Sequence, residues 1–222
     1  MSETDLPLIL LPGMNGDPRV FAPQLKAFPD LDVPKWEQPL SDEEPLTHYA
    51  QRLAAKIDPG VPCIIGGASF GGIVSLEVAK HLQAKACVLI ASCRSIEALP
   101  AMLRLLRPVS ALASSRSIVQ LARSAHFLTS IETSAVKNFH QLSPRDQSFR
   151  IWALQVLLKW QPEFPNCQLH QIHGALDSTF PAVISGADCV IPEAGHLLTL
   201  THAESVNEYL QQVLTSSRGR CG

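Results

Sequence analysis

Long apolar runs, a basic excess and paired cysteine motifs are missing from this sequence, and each absence removes a class of function. No stretch approaches the roughly 18 consecutive apolar residues that a membrane-spanning helix needs. The formal net charge is −2 and only 17% of residues are charged, against roughly 25% in an average soluble domain, so nothing general favours nucleic acid as a partner. Six cysteines occur but no Cys-X-X-Cys. Cys63, Cys87 and Cys189 sit in or beside aliphatic runs and Cys93 and Cys167 lie close to them, so reduced, buried thiols are expected rather than disulfides or a metal site. Cys221 falls in a polar tail. The apolar stretch Leu6–Leu11 follows Glu3 and Asp5 rather than a basic leader and is too short for a signal segment, so a cytoplasmic location is expected.

What is present is a chain of 222 residues, 46% apolar, which suits a single domain with a substantial core. There is no internal repeat and no low-complexity tract. Short apolar runs bounded by Pro and Gly alternate with longer helical patterns, and strands are predicted at Leu8–Leu11, around Val33–Gln38, and at Cys63–Gly66, Ala86–Ala91, Gln168–His173 and Cys189–Ile191. Helical spacing predicts helices at Pro45–Ile57, Gly71–Gln83 and Ala203–Leu214. Alternation of this kind signals an α/β fold, a mostly parallel sheet with helices on both faces. Residues 94–160 break the alternation, with no strand-like run, and read as a helical insertion. That insertion holds nine of the 18 Lys and Arg but only three of the 20 acids.

The sharpest motif is Gly67-Ala68-Ser69-Phe70-Gly71, a GxSxG that follows Cys63-Ile64-Ile65 and leads into a helical pattern. Alone the string is weak, but partners stand after later strands. Asp177 follows Gln168–His173 in Gly174-Ala175-Leu176-Asp177, and His196 follows Cys189–Ile191 in Pro192-Glu193-Ala194-Gly195-His196. A serine hydroxyl needs a base to become a nucleophile, imidazole suits that task, and a carboxylate fixes the imidazole tautomer. An oxyanion hole requires two backbone N–H donors, one from the residue after the nucleophile and one from the loop after an early strand. Phe70 and Met14, the latter in the turn Pro12-Gly13-Met14-Asn15-Gly16, are assigned these roles.

Other readings stand beside these. Ser69 could be a small residue in a glycine-rich turn, Asp177 a turn residue before Pro181, and His202 a rival to His196. Asp188 precedes its strand, at the wrong end of the sheet, and Asp146 lies inside the insertion. His48, His81, His126, His140, His170 and His173 show no metal-ligand spacing and default to surface or satisfied core positions, so no metal is expected. The glycine stretches match neither GxGxxG nor GxxxxGK[ST].

Together, Leu10-Leu11-Pro12-Gly13-Met14, Gly67-Ala68-Ser69-Phe70-Gly71-Gly72, Ile172-His173-Gly174-Ala175-Leu176-Asp177 and Gly195-His196-Leu197-Leu198 with His202-Ala203-Glu204 resemble the α/β-hydrolase fold superfamily, in the lineage of small cytosolic serine esterases with a helical cap. The resemblance spans Pro7 to Leu214, with Pro12-Gly13 where many relatives read His-Gly and Ala203 where many carry proline. It implies a hydrolase core at residues 5–93 and 161–215, a cap at 94–160, a flexible tail at 216–222, and a core that lacks the leading hairpin of the full fold.

The expected activity is hydrolysis of a small-molecule carboxylic ester through an acyl-serine intermediate, with no cofactor, no nucleic acid and no membrane partner. Two alternatives stay open: a carrier- or CoA-thioesterase, supported by the basic insertion, and a non-catalytic small-molecule receptor on a hydrolase fold. The insertion's arginines serve either as a solvated face or as attraction for an anionic substrate group. Oligomeric state and acyl specificity are not legible.

Overall fold

The structure is a computed structural model that describes residues 6–110 and 144–218. Five strands form one parallel sheet in sequential order: β1 (Leu8–Leu11), β2 (Cys63–Ala68), β3 (Ala84–Ile90), β4 (Gln168–Gly174) and β5 (Cys189–Ile191). Among the described residues the α-helices are α1 (Ala22–Ala27), α2 (Leu46–Ile57), α3 (Phe70–Val78), α4 (Ala101–Ser110), α5 (Pro144–Lys159), α6 (Ala182–Ser185), α7 (Leu198–Thr201) and α8 (Ala203–Arg218).

Strands β1 and β2 are buried along their whole length and β3 from Ala86 onward, because both faces of the parallel sheet are covered. Side chains alternate between two cores. Ile9, Leu11, Cys63, Ile65, Cys87 and Leu89 face one core, shared with α2, α3 and α5. Leu8, Leu10, Ile64, Val88, Ile90 and Ile172 face the other, shared with α8. The five described cysteines carry free thiols, and burial pushes Cys63 up to about 11 and Cys87 up to about 12.

Two sequence expectations are corrected. Residues 33–38 form no strand; instead Asp32 makes a single parallel bridge to Ile9, closed by Leu10 N–H to Asp32 O and Asp32 N–H to Leu8 O, each 2.9 Å. Pro34 and Pro39 lack the N–H that a longer ladder would need, so pairing stops after one rung. At the other end of the chain, helix α8 continues through Arg218, placing residues 216–218 of the expected tail in helix; Ser217 is buried and Ser216 donates to Val213 O at 3.1 Å. Residues 219–222, including Cys221, lie outside the described residues.

Between β3 and β4 the described residues form the helices α4 and α5, flanked by the non-helical stretches 91–100 and 160–167. Helix α5 buries every residue from Trp152 to Leu158, including Gln155, and packs against α4 and the α2–α3 core. Residues 111–143 of the expected insertion, with Arg116, Arg123, His126, Phe127, Lys137 and His140, lie outside the described residues.

Candidate active site

Ser69 occupies the turn between β2 and α3 with φ 55° and ψ −123°, a conformation that non-glycine residues rarely adopt. The turn is held tightly. Ser69 N–H donates to Ile90 O at 2.9 Å, and Ser92 Oγ donates to Ser69 O at 2.6 Å. The flanking glycines are steric requirements: a Cβ on Gly67 would stand 2.4 Å from the Gly71 carbonyl carbon, and one on Gly71 would stand 2.3 Å from the carbonyl oxygens of Leu11 and Pro12.

The loops after β4 and β5 deliver the partners to the same rim. Leu176 N–H donates to Ala194 O at 2.9 Å, joining the two loops beside His196. His196 Nε2 lies 3.0 Å from Ser69 Oγ, and His196 Nδ1 lies 2.8 Å from Asp177 Oδ2. The three side chains thus form one hydrogen-bonded chain. Asp177 is also the turn residue considered as its alternative role, because Oδ1 accepts from Thr179 N–H at 2.8 Å and Phe180 N–H at 3.0 Å. Its side chain is fully buried, which alone would raise its pKa. Hydrogen bonds from His173 and His196 outweigh that cost and hold the carboxyl well below the ordinary carboxylate range.

The rivals lie elsewhere. His202 Nδ1 is 2.9 Å from the Thr201 hydroxyl, while Asp188 accepts from Gln171 N–H at 2.8 Å. Phe70 opens helix α3 directly after Ser69. Met14 lies in the turn whose Gly13 would place a Cβ 3.8 Å from Ser69 Cβ, so this turn flanks the hydroxyl-bearing residue. Among the described residues no group of three or more His, Cys, Asp and Glu could hold a metal ion.

Three residues were not identified from sequence as part of this arrangement. Trp36 donates its indole N–H to Gly13 O at 2.9 Å, the carbonyl of the peptide that carries the Met14 N–H. Ser92 clamps the Ser69 carbonyl, and His173 reaches Asp177 from beneath. Only His173 had a sequence signal, standing four residues before Asp177 in the same motif.

No family model matches the chain and no curated protein matches it. Solved structures do. A thermophilic esterase from Thermogutta terrifontis with malate bound matches with TM-score 0.65 at 17% identity, over 97% of this chain and 91% of its own. A putative aryl esterase from Burkholderia cenocepacia gives 0.64 at 17% identity over 97% and 92%. The NocB thioesterase domain, in covalent complex with a fluorophosphonate nocardicin G analogue, gives 0.61 at 17% identity over 95% of each chain. The fold is therefore that of the α/β-hydrolases, here with five parallel strands and a helical segment between β3 and β4. No described helix is long and apolar enough to cross a membrane.

Proposed function

We propose that the chain is a serine hydrolase that cleaves a small-molecule carboxylic ester. Ser69 Oγ attacks the ester carbonyl while His196 Nε2 takes the hydroxyl proton, and Asp177 stabilises the resulting imidazolium. The N–H groups of Phe70 and Met14 bind the oxyanion of the tetrahedral intermediate. The carbon–oxygen bond to the alcohol breaks and His196 returns the proton to the departing oxygen, leaving an acyl-Ser69 ester. Water, deprotonated by His196, then attacks that ester and releases the acid and free Ser69.

The observation that carries this reading is the Ser69–His196–Asp177 chain, with heavy-atom separations of 3.0 and 2.8 Å, set on a serine of positive φ. Residues 5–93 and 161–215 act as the hydrolase core and 94–160 as its cap. The cap assignment is supported by Phe149 and Trp152 of α5, whose rings pack 6.2 and 6.0 Å from the ring of Phe70, next to Ser69. A thioester substrate is a second reading, favoured by the thioesterase among the structural neighbours and by Arg150 of α5 at the Met14 turn, where it donates to Asn15 Oδ1 at 2.6 Å. Hydrolysis of paired oxygen and sulfur esters of one acyl chain separates the two.

A fluorophosphonate probe tests the chemistry. Labelling of the wild-type protein and none of Ser69→Ala is expected; a folded wild-type protein that does not label at Ser69 removes the enzyme reading and leaves a ligand receptor.

A further inference from the structure

Asp177 offers two carboxylate oxygens, and their partners divide cleanly. Oδ1 is taken by the two main-chain donors of the 177–180 turn. Oδ2 receives His196 Nδ1 at 2.8 Å and, from the sheet side, His173 Nε2 at 3.2 Å. His173 belongs to the end of β4 and is completely buried. The same Nε2 lies 2.7 Å from the Phe180 carbonyl oxygen. A carbonyl oxygen and a carboxylate oxygen only accept, so this nitrogen carries the ring proton. The other nitrogen, Nδ1, is buried with no hydrogen-bond partner, so a proton there would be left unsatisfied in a dry site. The geometry fixes one tautomer, whose Nε2 is 2.7 Å from Phe180 O and 3.2 Å from Asp177 Oδ2.

We infer that His173 is a positioning residue of the proposed hydrolase: its Nε2–H locks Asp177 Oδ2 toward His196 and tempers that oxygen as an acceptor. The inference rests on the serine hydrolase reading. Its physical content has two parts. Tethering Phe180 O and Asp177 Oδ2 to one rigid ring removes rotation of the carboxylate, on which the tilt of the His196 ring depends. Supplying a second donor to Oδ2 spreads its charge and weakens the pull of that oxygen on His196 Nδ1. The titratable groups that face Asp177 among the described residues are His173, His196 and Cys93; burial, reinforced by the Asp177 charge, drives the Cys93 thiol far up, so it stays neutral.

Two amide replacements distinguish the ring nitrogens. The amide nitrogen of glutamine reaches about where Nε2 stands, whereas that of asparagine reaches only about as far as Nδ1. With a p-nitrophenyl ester and the full chain, His173→Gln is expected to stay within about threefold of wild-type kcat/KM and to keep its pH profile. His173→Asn is expected to lose about 10- to 100-fold in kcat, with the ascending limb displaced about half a unit or more toward alkaline pH. An Asn variant with unchanged rate and profile overturns the inference, and so does one that loses stability and rate without moving the profile, since that is a packing role alone. Should neither variant fold, the nitrogen-15 shifts of the His173 ring in the wild-type protein decide: a protonated Nε2 with a bare Nδ1 supports the inference, and a bare Nε2 overturns it. A wild-type protein that neither labels nor hydrolyses overturns the hydrolase reading, while labelling with an unmoved profile overturns the role of His173 only.

Discussion

Trp36 bears on the proposed oxyanion side of the site, through the carbonyl of Gly13. Gly13 O accepts from the Trp36 indole at 2.9 Å and from Gly16 N–H at 2.9 Å. In a trans peptide the C=O and N–H point in opposite directions, so fixing Gly13 O also fixes the direction of the Met14 N–H. The indole is itself wedged, 5.3 Å from the ring of Phe149 and 6.0 Å from that of Phe70. Trp36→Phe keeps the packing and removes the donor. It is expected to lower kcat by about 10-fold or more, less than the ~10²- to 10³-fold loss of a whole oxyanion donor, with KM little changed. Steady-state kinetics on one activated ester checks this; an unaltered kcat would count against Met14 as the second donor.

The residues leading into α2 are held by a partly buried network of polar contacts. Glu44 is buried, and its carboxylate accepts from Arg52 Nε and Nη2 at 2.9 Å each, from Leu40 N–H at 2.7 Å and pairs with His48 Nδ1 at 2.7 Å. Its carbonyl accepts from the Trp152 indole at 2.8 Å, so the same residue ties α5 to the core. Burial alone would raise the Glu44 pKa, but the Arg52, Leu40 and His48 hydrogen bonds outweigh it and hold it below the ordinary range. A carboxyl depressed by folding adds stability above its unfolded pKa of about 4.3 and loses it as the pH falls through the lower folded value. Glu44→Gln is therefore expected to cost about 1–3 kcal/mol in urea unfolding at pH 7, with the gap to wild type closing below about pH 4.

Elements were legible in the sequence where burial on both faces left a run of apolar residues, as in Cys63–Ile65 and Ala86–Ile90. Ser69, Asp177 and His196 stood out as candidates because each follows a strand-like run in the order of the resembled fold, and the structure brings their side chains within 3.0 and 2.8 Å of one another. Legibility failed where a contact runs through a carbonyl. Trp36 and Ser92 bond the backbone of Gly13 and Ser69, and a carbonyl carries no residue identity to be read. It failed again at 33–38, where Pro34 and Pro39 withhold the N–H groups that the expected strand would need.

At the scale of the whole molecule, charge is divided: the 94–160 segment is cationic and the remainder anionic. Part of that basic charge is structural. Arg107 donates to Leu157 O at 3.0 Å and Trp160 O at 2.7 Å, bracing α4 against the end of α5, and Arg94 donates to Gly186 O. Arg150 differs in position, since its contact with Asn15 sets a guanidinium at the turn that flanks Ser69. A field of this shape raises the local concentration of an anionic substrate and is screened by salt. Two p-nitrophenyl esters that differ only in a terminal carboxylate on the acyl chain should then respond differently to ionic strength. From about 20 to about 500 mM salt, kcat/KM for the anionic ester is expected to fall several-fold while that for the neutral ester stays level. Arg150→Gln should remove most of the difference at low salt and leave the neutral ester's rate within about twofold of wild type. Equal salt responses for the two esters would mean that the basic residues serve as a solvated face of the cap and that the acyl pocket is chosen by shape alone.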